Sequence, residues 1–302
     1  MCSMPHRIIV SGIYRSGTSL NAGLIRNWGA YTGREDDVFK DEYGYLEHLS
    51  LQKLNDDLLN NNSRVPLPPD EMGEKVQDPI LKEQALEILN AMDREAEQNQ
   101  AVAWVWKDPR IPLVIPFWAQ IWGEVIYIIP VRHPVETIIS AARMDGLEPD
   151  EVPLSAGLAY WQFCMLNVLT YTNDSQRKCF MPFDQLVRFP QSECTRLCHF
   201  LDEQCRVSQE NAGLRIRSMT SHIAIENYHF QHPRSLAEVS VATREQRALY
   251  DFLRVKTMYP GESFIEDDFA LYPGWREYIQ AMDMLVTYGN TKEANGYASQ
   301  KD

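Results

Sequence analysis

Residues 8–27, Ile8-Ile-Val-Ser-Gly-Ile-Tyr-Arg-Ser-Gly-Thr-Ser-Leu-Asn-Ala-Gly-Leu-Ile-Arg-Asn27, decide how the rest of the chain is read. Ile8, Ile9 and Val10 are a short β-branched run of the kind a buried parallel strand uses. Gly12 and Gly17 bracket a tight turn, and Thr18-Ser19 opens an amphipathic helix carrying Leu20, Leu24, Ile25 and Trp28. The G-x-x-x-x-G spacing is that of a phosphate-binding loop, whose backbone N–H groups and following helix N-terminus attract anions. A nucleoside triphosphatase has Lys after the second glycine. Here that position is Thr18, and the cation sits inside the loop at Arg15. The loop is therefore an anion cradle not built for ATP hydrolysis.

Outward from this stretch, strands and helices alternate. Tyr31 lies in a candidate second strand (30–33), followed by acidic residues 35–37. A helix is expected with Leu46, Leu49, Leu54 and Leu58 on one face, then a polar and proline-rich loop or lid at 60–69. Helical periodicity runs from Ile80 to Glu97 through Leu81, Ala85, Leu86, Leu89 and Met92. Strands are expected at 101–106 and 125–131, where Pro130 is awkward, and at 178–183. Helices are expected at 111–122, 134–143, 153–172, 191–201, 244–255 and 275–286. Such alternation specifies an α/β fold, a central parallel sheet with helices on both faces. Ligands in these sheets bind at the carboxyl ends of the strands. Gly12–Ser19, Gly33–Asp36, Lys107–Arg110 and Arg132–Pro134 all fall at such ends, on one rim. The 302 residues are read as one domain, with a core over 7–205, a helical extension over 206–290 and a frayed tail over 291–302.

Composition narrows the partners. A formal charge of −13 argues against nucleic acid or an anionic membrane surface, which need clustered Lys and Arg. No apolar run is long enough to span a bilayer. The six cysteines form no paired framework, so reduced thiols in a cytoplasmic protein are expected. Cys194 and Cys198 sit one helical turn apart among Leu197, Phe200 and Leu201, which points to core packing rather than zinc.

A second anion-binding feature is Val131-Arg-His-Pro-Val-Glu-Thr-Ile-Ile-Ser140. Arg132 leaves a strand and Ser140 lies two helical turns on, so an arginine fork and a hydroxyl can share one phosphate. A phosphoryl-transfer enzyme would place an acidic residue there to hold magnesium. The pattern thus predicts a ligand with two phosphate-like groups and offers no clear metal site. Asp108 and Arg110 are read as a structural pair shaping their turn, and His133 as packing or capping.

Taken together, these segments resemble the sulfotransferases that use 3′-phosphoadenosine 5′-phosphosulfate (PAPS). Gly12–Ser19 is similar to the 5′-phosphosulfate loop and Arg132–Ser140 to the 3′-phosphate segment. Gly44-Tyr-Leu-Glu47, Trp106-Lys-Asp-Pro-Arg110 and Phe183-Asp-Gln-Leu186 are similar to the links between them in bacterial members. The order holds over residues 7–205; a usual Tyr-Glu pair is replaced by Phe183-Asp184, and the glycine-rich C-terminal loop of animal members is missing. The resemblance implies that Tyr14, Arg15, Ser16, Gly17, Thr18 and Ser19 hold the 5′-phosphosulfate, and that Arg132 and Ser140 bind the 3′-phosphate. It places Lys107 near the oxygen bridging phosphate and sulfate. A base is also required, with Glu35 the first candidate and Asp36 and Glu47 its rivals. The acceptor is expected to be a small metabolite with a hydroxyl or amine, because a polyanionic glycan would need a basic channel. A small-molecule kinase and a silent nucleotide-binding protein remain as alternatives.

Overall fold

The computed structural model describes residues 4–39, 47–62, 64–144, 146–148, 153–223 and 235–258. In chain order the elements are β1 (His6–Val10), α1 (Thr18–Trp28), β2 (Val38–Phe39), β3 (Glu47–His48), α2 (Leu49–Leu58), α3 (Pro69–Gln77), α4 (Pro79–Gln98) and β4 (Ala103–Lys107). There follow α5 (Ile111–Trp118), β5 (Val125–Val131), α6 (Pro134–Met144), α7 (Leu154–Thr172), β6 (Lys178–Pro182), α8 (Phe183–Arg188), α9 (Pro190–Cys205), α10 (Ala212–Ser221) and α11 (Arg244–Met258).

Four strands form one parallel sheet in the order β4-β1-β5-β6. Successive side chains point to opposite faces, so each strand feeds two cores. Ile9, Trp104, Trp106, Tyr127, Ile129 and Phe180 pack under α2 to α7 and α11. Ile8, Val10, Val105, Ile128, Cys179 and Met181 pack under α1 and α8 to α10. Cys194, Cys198 and Cys205 belong to the second core. Because all four strands run the same way, their carboxyl ends share one edge. Val10 is in register with Lys107, which sets the glycine loop directly beside that lysine.

The awkward proline has a physical explanation. β1 pairs with β5 only as far as Val10↔Ile128, and the Ser11 N–H donates to the Ile128 carbonyl. The missing N–H of Pro130 faces the side that β1 has already left. Gly12 occupies that space, and a Cβ there would meet Pro130 Cδ at 3.2 Å and Ser16 Oγ at 2.8 Å.

Several sequence expectations need correction. The second strand shrinks to one bridge, Tyr31↔Trp104, at the outer edge of β4. Gly29 and Gly33, at φ 124° and 98°, turn the chain away on either side. In α2 the buried face is Leu51, Leu54, Asn55 and Leu58, whereas Leu49 is exposed and Leu46 lies outside the described residues. In α4 the buried stripe is Ala85, Leu89, Met92, Asp93 and Ala96, which leaves Leu86 exposed. The helix expected over 111–122 stops at Trp118, and Phe183 opens α8 instead of closing a strand. Within the 60–69 loop Val65 and Pro66 are buried. α3, α8 and α10 were not expected; α3 starts on Pro69, a residue suited to a first helical turn that also reads as a loop signal. The helix expected over 275–286 and the tail lie outside the described residues. Among those described, no helix is long and apolar enough to cross a membrane.

The start of α4 offers a small check on local stability. Asp78 Oδ1 accepts from the N–H groups of Ile80 at 2.8 Å and Leu81 at 3.2 Å. Asp78→Ala leaves those donors to water and is expected to cost about 1 kcal/mol in urea unfolding. A change below about 0.3 kcal/mol would show that the cap contributes little there.

Candidate active site

The glycine loop is shaped by two left-handed residues. Arg15 has φ 65° and Gly17 φ 98°. A left-handed arginine costs about 1–2 kcal/mol, a strain of the kind stored at binding sites. Ser16 is buried, and its hydroxyl donates to the Ile13 carbonyl at 2.7 Å, closing the turn from inside. Gly17 is the N-cap of α1 and supplies no side-chain acceptor, so the first-turn N–H groups around Thr18 and Ser19 are presented for an anion. Asn21 reaches back to the Gly17 carbonyl at 2.9 Å and pins the helix start.

The loop is tied directly to the Arg132 segment. Arg15 Nε donates to Ser140 Oγ at 3.1 Å, and Arg132 Nη1 donates to the Arg15 carbonyl at 2.8 Å. The sequence suggested two separated anion pockets; these bonds link the two segments directly. Arg132 is further held by Glu136, in the first turn of α6, at 3.4 Å, and by the Phe183 ring, 4.4 Å from its guanidinium carbon. The i,i+4 spacing of Arg132 and Glu136 was legible in the sequence. The Phe183 platform was not, since a ring-face contact across 51 positions leaves no local pattern. His133 is buried against the Tyr250 ring at 5.1 Å, the packing role expected of it.

On the other side of the loop, Lys107 is only 1% exposed and its Nζ lies 2.7 Å from Glu47 Oε1. The three carboxylate candidates are therefore placed differently. Glu35 and Asp36 are exposed on the 3-10 turn Glu35–Asp37, whereas Glu47 at the head of β3 is the one in contact with Lys107. Burial raises the Glu47 pKa above the ordinary carboxylate range, against the lowering influence of Lys107 and Arg110. Tyr14, within the loop, feels the charges of Glu47, Asp108 and Arg110. Burial first, and then Asp108, push its phenol well above its ordinary value, so it stays neutral. Arg64, from the 60–69 loop, stacks over the Tyr14 ring at 5.4 Å. Sequence reasoning missed Arg64, whose partner is set only by how that loop folds back. Among the described residues, no group of three or more His, Cys, Asp and Glu is arranged to hold a metal ion.

The rim thus gathers Arg15, Arg132 and Lys107 with Ser140 and a helix N-terminus around one edge of the sheet, and sets one half-buried carboxylate against the lysine. Such a site can hold a polyanionic ligand and exchange a proton beside it.

Three solved structures are distantly similar to this chain. The sulfotransferase domain from the curacin biosynthetic pathway is 18% identical over 95% of this chain and 99% of its own, with a TM-score of 0.44. The sulfotransferase domain from the Synechococcus PCC 7002 olefin synthase is 21% identical over 93% of this chain and 94% of its own, also at 0.44. Sulfotransferase STF9 from Mycobacterium avium is 14% identical over 88% of this chain and 79% of its own, at 0.46. These are distant likenesses. No curated protein matches the sequence significantly. The model of the sulfotransferase family, in contrast, matches residues 5–206, a span that contains the glycine loop, Lys107, Arg132 and Ser140, and the chain therefore belongs to that family.

Proposed function

We propose that the protein transfers the sulfuryl group of PAPS to a hydroxyl or amine of a small acceptor, with Glu47 as base and Lys107 as the stabilising cation. The observation that carries this reading is the bonded cluster Ser140–Arg15–Arg132 beside an uncapped helix N-terminus, with Lys107, paired to Glu47, in register with the strand that leads into the loop. Bound there, PAPS supplies a sulfuryl group whose departure leaves negative charge on the oxygen of the 5′-phosphate.

The chain's own residues meet the demands of that chemistry. The α1 N-terminus and Arg15 match the charge of the 5′ end. Arg132, braced by Phe183 and Glu136, presents a rigid fork suited to the 3′-phosphate. Lys107 puts a buried ammonium where charge develops, an interaction stronger in the transition state than in the ground state. Glu47 takes the acceptor's proton at a carboxylate oxygen; its raised pKa makes it a stronger proton acceptor than a solvated glutamate. The overall charge of −13 favours a small neutral or cationic acceptor over a polyanionic one.

Thermal-shift titration with 3′-phosphoadenosine 5′-phosphate (PAP) tests the donor assignment. At a hundredfold excess over Kd the bisphosphate should stabilise the fold by about 2.7 kcal/mol. Arg132→Ala removes a charge-assisted contact worth about 1.5–3 kcal/mol, so PAP affinity should fall about 10- to 100-fold. No stabilisation of the wild-type protein by PAP, together with stabilisation by ATP and magnesium, would overturn the reading in favour of a kinase.

A further inference from the structure

The scheme above leaves unused the most elaborate polar structure beside the site, the network around Arg110. This residue is 3% exposed. Its Nε and Nη2 donate to the two oxygens of Asp108 at 2.8 and 2.9 Å, and Nη1 donates to Asp56 Oδ1 at 2.6 Å. Nη2 also lies 3.5 Å from Glu47 Oε2, the oxygen that Lys107 does not take. Asp108 is fully buried and accepts twice more, from the Arg110 N–H and from Asn55 Nδ2, each at 2.8 Å. Asn55 in turn accepts from Trp118 Nε1 at 2.8 Å. A counter-ion for Asp108 alone has no need to reach other carboxylates. Arg110 spans three with one planar fork, which a lysine's point charge cannot do.

We propose that Arg110 is a positioning residue for the Glu47 carboxylate: anchored by Asp108 and Asp56, it holds Oε2 so that Oε1 stays on Lys107, ionised and aimed to take the acceptor's proton. This role rests on the reading of Glu47 as the base. The groups facing Glu47 are Lys107 on β4, Asp108 and Arg110 on the turn that follows, and the neutral Tyr14 of the glycine loop. Asp56 on α2 acts through Arg110. Lys107 and Arg110 favour the carboxylate, while burial and Asp108 oppose it. Removing the Arg110 cation therefore raises the Glu47 pKa and protonates the base at a pH where the native protein keeps it charged.

The test is a ¹³C-carboxyl NMR titration of glutamate-labelled protein, in which Glu47→Gln identifies the Glu47 resonance. In Arg110→Gln the Glu47 midpoint should rise by about one pH unit or more. PAP affinity should stay within about twofold, since Arg110 is not part of the anion cluster. A midpoint within about 0.3 unit of wild type in the folded variant overturns the proposal. Should the unpaired Asp108 prevent folding, Asp108→Asn with Arg110→Gln removes both charges, and its Glu47 midpoint must exceed that of Asp108→Asn alone. Failure of the underlying reading looks different. If Glu47→Gln turns over PAPS with water as acceptor at the wild-type rate, Glu47 is not the base, whatever Arg110 does.

Discussion

Lys107→Ala is expected to slow sulfuryl transfer about 10³-fold while leaving PAP binding nearly intact. The lysine closes β4, in register with Val10 just before the glycine loop, and its buried ammonium lies 2.7 Å from Glu47 Oε1. Two losses combine in the variant. The cation aimed at the developing charge is gone, and Glu47 loses its nearest positive partner, so a carboxylate pKa already raised by burial rises further. Both effects fall on the chemical step, because a group stabilising charge that appears only in the transition state contributes little to ground-state binding. Stability should fall by less than the about 3–5 kcal/mol typical of breaking a buried pair, since Glu47 can neutralise by taking a proton and Arg110 remains beside it. The measurement is single-turnover PAPS consumption alongside PAP thermal shift. Retention of more than about a tenth of the rate would remove Lys107 from the mechanism.

Gly17→Ala is expected to destabilise the fold and to weaken PAP binding together, which few single-methyl changes do. At φ 98° an alanine pays about 1–2 kcal/mol of left-handed strain. Its Cβ would also sit 2.7 Å from Phe183 Cδ2, inside the contact distance of a buried ring. That ring is the platform beneath Arg132, so relieving the clash moves the residue assigned to the 3′-phosphate. A total cost of about 3 kcal/mol and an affinity loss of about 10- to 100-fold follow, from strain, overpacking and a displaced arginine. Gly29→Ala is the control. Gly29 has φ 124° with nothing within 4 Å of its would-be Cβ, so it should show strain alone and leave PAP binding unchanged. Equal PAP affinity in wild type and Gly17→Ala would separate the Phe183 platform from the ligand site.

Much of the fold was legible because buried parallel strands are near-continuous apolar runs, as in residues 125–131, and glycine pairs mark the turn after them. Edges were less legible. The second strand failed because its neighbours Gly29 and Gly33 take positive φ, a conformation that a strand-like composition does not announce. α2 and α4 were placed, yet their faces were shifted by a residue or two. Leu49 and Leu86 carry the same apolar signal as their buried neighbours, and only packing against the sheet decides which side turns inward.

The sequence by itself determined the order of the segments proposed to bind anions, and with a parallel sheet that order places Gly12–Ser19, Lys107 and Arg132 on one rim. Those are local properties, carried by glycine spacing and by residues at strand ends. The tertiary structure alone decided which carboxylate meets Lys107, since Glu35, Asp36 and Glu47 are equivalent as isolated residues. Their difference is that β3 brings Glu47 against a buried ammonium while Glu35 and Asp36 stay in solvent. It also decided that Arg110 belongs to that carboxylate as well as to Asp108. A pKa and a charge partner are set by burial and distance, and neither quantity is written in one dimension.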